Sequence, residues 1–266
     1  MIISILGSSG FIGSFLKKKI IKSDKVNEIN LRTIDLSISK REILKILSKK
    51  LANSDAVINC CASLKPQTKN DFFINSELPA LIQKTINNFK KKPHFIHIST
   101  LNIFLKQRTD TYTLSKKIGE IKLTNRNTSI IRLPFIFSRN KKNGNLKVMN
   151  DYLDNKFLPF YPMIYPGHYY KPIDIDNLCL FIIKLLKSKK KKSFYNLIGK
   201  KKMSLWDMFS TIAKKKNKKI FKINTTQLNK MSNFDQRNKL IRNNDFLSQI
   251  FSIDHSNFKN IFLKKL

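Results

Sequence analysis

Tyr112 and Lys116 in TYTLSK lie four residues apart, and on a helix that spacing puts both side chains on one face. An ammonium beside a phenol favours the phenolate and lowers its pKa from the usual value of about 10. Such a pair can give or take a proton. Spacing alone does not single it out, because Lys and Arg fill 52 of 266 positions and Tyr152 and Lys156 in YLDNK repeat the pattern. A second candidate is GSSGFIG, with glycines at 7, 10 and 13, which hold three of the chain's 7 glycines. Gly7 suits a tight turn, Gly10 lets a pyrophosphate approach the backbone, and Gly13 lets a helix pack closely on a strand. The turn with Ser9, Phe11 and Ile12 would offer backbone N–H groups and a helix dipole to phosphates.

These residues need elements to position them. IISIL reads as a short buried strand before the glycine turn, and FLKKKIIK as an amphipathic helix after it. VNEINLR (Val26–Arg32), DAVINCCA (Asp55–Ala62), HFIHIST (His94–Thr100) and TSIIRL (Thr128–Leu133) read as further strands. Between them, Ser39–Leu51, Asn75–Phe89 and Thr111–Leu123 read as helices, with Ser39 a cap and Pro79 in a first turn. A helix over Asp174–Lys187, a strand over Ser193–Ile198 and a capped helix in SLWDMFSTIAKK follow. Apolar strands alternating with helices predict an α/β fold, a Rossmann-type doubly wound parallel sheet with a small C-terminal substrate lobe. The expected organisation is a dinucleotide-binding core over 1–137, completed by about 172–198, and a small lobe from 138–171 and 199–266. Tyr112 then follows a strand ending in Ser99 and Thr100, whereas no such strand precedes Tyr152, which reads as a coincidence.

Composition narrows the function classes. Hydrophobic residues at 41% and aromatics at 11% suffice for a core. The apolar run LCLFII is too short to span a bilayer, and no basic stretch precedes the first apolar one as in a signal peptide. Cys60, Cys61 and Cys179 match neither a disulfide framework nor a metal site, which favours a reducing cytoplasm. His94 and His97, three apart on a strand, point to opposite faces and cannot share a metal. The net charge of +35 reads as a lysine-rich background rather than a dedicated nucleic-acid or membrane surface, since arginine is scarce and basic runs fall near expected helix ends.

At the end of the second strand an acid would bind the adenosine ribose of NAD, and an arginine the 2′-phosphate of NADP. Leu31 and Arg32 stand there, so Arg32 predicts NADP, with NAD the alternative, and Asp35 and Leu36 are placed to meet the adenine.

Together these motifs resemble the extended short-chain dehydrogenase/reductase family, which includes nucleotide-sugar epimerases, dehydratases and reductases. GSSGFIG is similar to its GxxGxxG, VINCCA to its NAAA segment, HISTLNIF to its catalytic strand end, and YTLSKKIGE to its YxxSKxxxE. INSELPALI, IIRLPFIF, IDIDNL and FYNLIG resemble further segments in the family's order. INLRTIDLS is similar to a stretch of the GDP-fucose synthases, and RNKLIRNNDFL to one of the dTDP-dehydrorhamnose reductases. The resemblance implies hydride transfer between a nicotinamide and a sugar carbonyl or carbinol. Tyr112 would be the acid/base, Lys116 would lower its pKa and bind the nicotinamide ribose, and Thr100 would hold the substrate oxygen. It further implies cofactor contacts from Cys60, Cys61, Ala62, Asn75, Ser99 and Pro134. A nucleotide sugar is the implied small-molecule substrate, and the family allows a homodimer. A reductase of a non-sugar carbonyl and a non-catalytic NADP-sensing protein of the same fold are the alternatives. The run between Thr100 and Tyr112 is shorter than in most extended members, which trims a loop that shapes the substrate pocket.

Overall fold

The computed structural model describes residues 1–31, 34–104, 110–123, 127–138, 145–155, 161–167, 169–189 and 191–224. The chain divides into two compact units, 1–133 with 175–197, and 134–174 with 198–266.

The first unit is built on six parallel strands. In chain order they are β1 (Ile2–Leu6), β2 (Lys25–Ile29), β3 (Ala56–Asn59), β4 (His94–Thr100), β5 (Thr128–Leu133) and, after the second unit's strands, β10 (Phe194–Asn196). Their order across the sheet is β10-β5-β4-β3-β1-β2, so succession reverses between β1 and β3. In an open α/β sheet that reversal opens a crevice at the carboxyl ends of the strands, where ligands bind. The helices of this unit are α1 (Phe11–Ile20), α2 (Lys40–Leu51), α3 (Lys69–Ser76), α4 (Leu78–Asn87), α5 (Thr111–Ile121) and α7 (Ile175–Lys187). Helix α1 packs on α7, while α2, α4 and α5 form the other layer. Ile43 and Leu47 of α2 and Ile82 and Ile86 of α4 share one core with Leu6, Val57 and Phe95 of the sheet.

Three elements differ from their sequence expectation in ways that bear on the glycine turn and the helix of Tyr112. Strand β2 stops at Ile29, three residues early. Strand β3 covers Ala56–Asn59 alone, which leaves both adjacent cysteines beyond it. The helix expected over Asn75–Phe89 is two helices, because α3 already contains Asn75 and α4 begins at Leu78. Pro79 explains the break. Its ring has no N–H for the carbonyl of Asn75 and would clash with it in a continuous helix.

The second unit holds α6 (Asn145–Leu153), α8 (Leu205–Lys215) and three two-stranded pairs. Tyr152 lies in its core with Phe209 and Tyr161, and its hydroxyl donates to the Pro162 carbonyl at 2.9 Å. That settles Tyr152 as a packing residue, while Lys156 lies outside the described residues. Ser204 and Asp207 form the expected capping box of α8. RNKLIRNNDFL and the C-terminal helical pattern also lie outside the described residues. Among the described residues no helix is long and apolar enough to cross a membrane, and no group of acids, histidines and cysteines could hold a metal. The lysine runs 17–19 and 214–215 do close α1 and α8, whereas 90–92 lies beyond the end of α4.

His94 and His97 are both buried in β4 and face opposite layers. Asn59 Oδ1 accepts the Cys61 amide, so its Nδ2 donates to His97 Nδ1 at 3.2 Å. His94 Nε2 meets Ser129 Oγ at 3.0 Å. Burial pushes His94 down to about 4 and holds His97 well below the usual histidine range. Both imidazoles therefore stay neutral in the fold while the unfolded chain protonates near pH 6.5. Their contribution is intact above pH 6.5 and is lost as pH falls. For His94 the loss reaches about 3 kcal/mol at pH 4. Urea unfolding of wild type and His94→Gln at pH 7 and pH 4.5 should show the variant losing less stability on acidification. Equal losses would refute a neutral buried His94.

Candidate functional site

The glycine turn joins β1 to α1. Gly7 has φ +78°, and a Cβ there would lie 3.0 Å from both the Cys61 amide nitrogen and its sulfur. A Cβ on Gly13 would lie 2.1 Å from the Gly7 carbonyl oxygen, which only glycine avoids. The Gly10 amide donates to the Gly7 oxygen at 3.0 Å, and Gly10 caps α1 with no side-chain bond. The first-turn amides are thus left for a ligand. Ser9 and Gly10 are exposed, and Phe11 and Ile12 half-buried, at this opening. Ser8 is buried, and its hydroxyl donates to Glu28 at 2.8 Å, while Glu28 pairs with Lys17 at 2.6 Å.

The position expected to meet a ribose depends on where β2 ends. Leu6 is in register with Ile29, and the Gly7 amide donates to the Ile29 carbonyl at 3.4 Å. The residue that follows β2 beside the turn is therefore Asn30. Its signal was only the true strand end. Arg32 lies outside the described residues. Asp35 is exposed and accepts the Ser37 hydroxyl at 2.6 Å and its amide at 2.8 Å, bonds that hold its carboxyl below the usual range. Leu36 packs, partly buried, against the core of the first unit.

Helix α5 carries the tyrosine and the lysine. Asp110 caps it by accepting the Thr113 amide at 3.0 Å. Tyr112 is half-buried, and Lys116, one turn further, is 2% exposed. The Lys116 ammonium donates to the Ile98 carbonyl at 3.0 Å and to the Cys61 carbonyl at 3.5 Å. It thereby ties α5 to the end of β4 and to the segment after β3, the same segment that touches Gly7. A lysine has three N–H donors, so one remains for a ligand. Burial pushes this ammonium down to about 8, against the raising influence of Cys61, Glu120 and Cys60. The thiol of Cys61 is itself pushed up to about 12 by burial, and Cys60 is also raised. Both thiols are therefore neutral, and the lysine is the site's charge at neutral pH.

Asn75 braces this arrangement. Its Nδ2 donates to the Ser63 carbonyl at 2.8 Å and to Ser115 Oγ at 3.0 Å, and its Oδ1 accepts the Ser63 amide at 3.2 Å. A Cβ on Gly119 would lie 2.2 Å from the Asn75 carbonyl oxygen, so α5 sits against the end of α3 only because residue 119 is glycine. Ser115, Ser63 and Gly119 were not expected as bracing residues. Ser99 and Thr100 are both buried and point to opposite faces of β4. Thr100 Oγ1 accepts the Asn102 amide at 3.2 Å, and Ser99 Oγ is a buried oxygen with no hydrogen-bond partner. Ala62 is exposed after the two cysteines. Pro134 opens the second unit. The structure thus brings Gly7, Cys61, Lys116 and the end of β4 into one connected set, with Asn75 behind it. Chemically it offers open amides for a phosphate, a positive charge in a dry setting and a phenol on the same helix.

No protein-family model and no curated protein sequence matches the chain. Solved structures do match in fold. A dTDP-4-dehydrorhamnose reductase from Clostridium acetobutylicum is 18% identical, with a TM-score of 0.69, covering 84% of this chain and 83% of that one. The corresponding reductase from Bacillus anthracis, solved in complex with NADP, is 16% identical, with a TM-score of 0.67 and 85% of each chain covered. A UDP-glucuronic acid 4-epimerase from Bacillus cereus, solved with UDP-glucuronic acid and NAD, is 19% identical, with a TM-score of 0.66, covering 84% and 86%. The chain shares the fold of these proteins, a Rossmann-type α/β architecture.

Gly13→Ala places a methyl group inside contact distance of the backbone of Gly7. The turn must shift, at a cost of about 2–3 kcal/mol. The thermal midpoint should drop measurably, whereas Ser9→Ala at the exposed rim should leave it unchanged. Equal midpoints for the two variants would refute the close packing assigned to Gly13.

Proposed function

We propose that the chain is an NAD(P)-dependent oxidoreductase or epimerase of the extended short-chain dehydrogenase/reductase type, acting on a nucleotide sugar. The observation that carries this reading is the buried Lys116 ammonium, held by the Ile98 and Cys61 carbonyls beside the glycine turn. A buried lysine is costly to keep charged, so its placement one turn from Tyr112 is best explained by a task for its charge. The neighbours in fold, named as nucleotide-sugar reductases and epimerases, agree with it.

The residues fit a nicotinamide dinucleotide. A Cβ at Gly7, Gly10 or Gly13 would fill the space over the turn or break its packing, and the uncapped amides of α1 suit a pyrophosphate. Bound there, a nicotinamide dinucleotide would supply the hydride donor or acceptor. The chain's own part is binding, orientation and proton movement. Lys116 would use its remaining N–H on the nicotinamide ribose and lower the pKa of Tyr112 by its charge. Tyr112 would give a proton to, or take one from, the substrate oxygen. Thr100 would steady that oxygen through its hydroxyl hydrogen, which its bond from Asn102 leaves unused. Cys60 and Ala62 would flank the adenine side, Ser99 and Pro134 would approach the nicotinamide, and the second unit would supply the substrate lobe.

NADP is the proposed cofactor. The position beside Gly7 is the neutral Asn30, and the acid nearest the turn, Glu28, is already bonded to Ser8 and Lys17. Neither arrangement repels a 2′-phosphate, and Arg32 is the proposed partner for it.

Tyr112→Phe should abolish turnover of a nucleotide-sugar substrate while NADPH still binds by fluorescence titration. Retained turnover would remove Tyr112 as acid/base. In a thermal-shift panel, NADPH at 100 times its dissociation constant should stabilise the protein by about 2.7 kcal/mol. No response to NADPH or NADH would refute the reading as a whole. Asn30→Asp should move the preference towards NADH by about tenfold, as one lost or gained charged contact does. An unchanged preference would place the ribose elsewhere.

A further inference from the structure

Arg132 has no part in the chemistry proposed above, yet its side chain joins four elements of the first unit. It stands on β5 in register with Ser99 of β4, so it projects into the layer that holds α5. Its guanidinium grips the Glu120 carboxylate as a fork. Nη2 lies 2.6 Å and Nε 2.9 Å from Oε2, and Nε 3.2 Å from Oε1. The same group lies over the ring of Phe104 at 4.8 Å and over that of Phe194 on β10 at 4.5 Å. Nη1 reaches Asn196 Oδ1 at 3.4 Å. The side chains of Arg132 and Glu120 are 13% and 6% exposed, so this is a largely dry ion pair.

Stability alone is a weak reason for such a pair, because well-packed apolar side chains of similar size often do as well. Its location suggests more. Glu120 is one turn beyond Lys116 on α5, on the same face. Phe104 ends the short 3-10 turn Leu101–Phe104 that directly follows Thr100. One arginine thus holds both the helix of the acid/base pair and the turn behind the threonine.

We propose that Arg132 is a positioning residue, which through Glu120 and Phe104 locks the helix carrying Tyr112 and Lys116 to the turn that follows Thr100. This rests on the function proposed above for its purpose, but not for its physical content. Among the described residues, Glu120 is the carboxylate that acts on Lys116. The other titratable neighbours are Tyr112, one turn earlier on α5, the neutral thiols of Cys60 and Cys61 and the neutral His97 on β4. Charges therefore alternate from Lys116 to Glu120 to Arg132 within one dry layer. Through that ion pair Arg132 tempers the field that Glu120 exerts on the lysine.

Substitutions at the two ends of the pair should then move Lys116 in opposite directions, which simple loosening would not do. The measurement is a 15N NMR titration of the Lys116 ammonium in the full chain without ligand, with amide hydrogen exchange on the same samples. Arg132→Met should raise the Lys116 midpoint and Glu120→Gln should lower it, each by about half a pH unit or more. Arg132→Lys should restore the wild-type midpoint but lose the fork. Its amides in Leu101–Phe104 and the second half of α5 should exchange about tenfold faster, with those of β1 and α2 unchanged. Should the single variants not fold, Arg132→Leu/Glu120→Leu removes both charges and should lower the midpoint. Shifts of the same sign, an unmoved midpoint in the double variant, or exchange that is uniform or unchanged in Arg132→Lys would each overturn the proposal. NADPH and NADH titrations of wild type run alongside. Failure of both to bind would overturn the proposed function while leaving the titration and exchange to judge Arg132.

Discussion

The first unit depends on one buried charge. The Lys116 ammonium sits where water does not reach and is paid for by two backbone carbonyls, those of Ile98 and Cys61. Neither carbonyl belongs to its helix, so α5 must dock where the ends of β3 and β4 present them. That docking needs Gly119, whose missing side chain admits the Asn75 carbonyl. It needs the break at Pro79, which turns that carbonyl out of a helix ladder. It also needs Asn75 itself, whose amide spans from Ser63 to Ser115. Each requirement lies in a different element, and all of them serve to hold one ammonium still.

The same carbonyl-bearing segment reaches the glycine turn. A side chain on Gly7 would press on Cys61, and Cys61 offers its carbonyl to Lys116. The glycine turn and the support of the lysine are therefore linked through one residue, Cys61. The reversal of strand order between β1 and β3 makes this adjacency possible, because no strand lies between the two ends. On the proposed reading, dinucleotide binding and proton transfer are coupled by that neighbour relation rather than by a long pathway.

The strands, the glycine turn and the Tyr112 helix were legible because their signals are local. Apolar runs bounded by turn residues mark buried strands, and glycine spacing marks the tight junction. What could not be read was set by tertiary contact. The end of β2 at Ile29 follows from register with Leu6, so Asn30 and not Leu31 directly follows the strand beside Gly7. The split at Glu77 was foreshadowed by Pro79, but its consequence for Asn75 depends on Gly119, more than forty positions on. Arg132 was hidden for a related reason. In a chain with 52 basic residues one more arginine carries no signal, and only its contacts distinguish it.

The acids carry the converse signal. The chain has 17 of them against 52 bases. The described acids are nonetheless engaged in defined structural work. Glu42, Asp71 and Asp207 close capping boxes, and Asp110 caps α5. Asp55 takes the Ile2 amide and Lys91, and Glu77 takes Lys40 and Lys122. Glu28 holds Ser8 of the glycine turn, and Glu120 holds Arg132. The capping-box hydrogen bonds of Glu42, Asp71 and Asp207 hold those carboxyls below the usual range, so they are poor proton carriers. On the proposed reading, proton transfer then falls to a group that is not a carboxylate. Of such groups, the phenol of Tyr112 stands one helical turn from Lys116, the one lysine buried among the described residues, and no other described tyrosine shares that position.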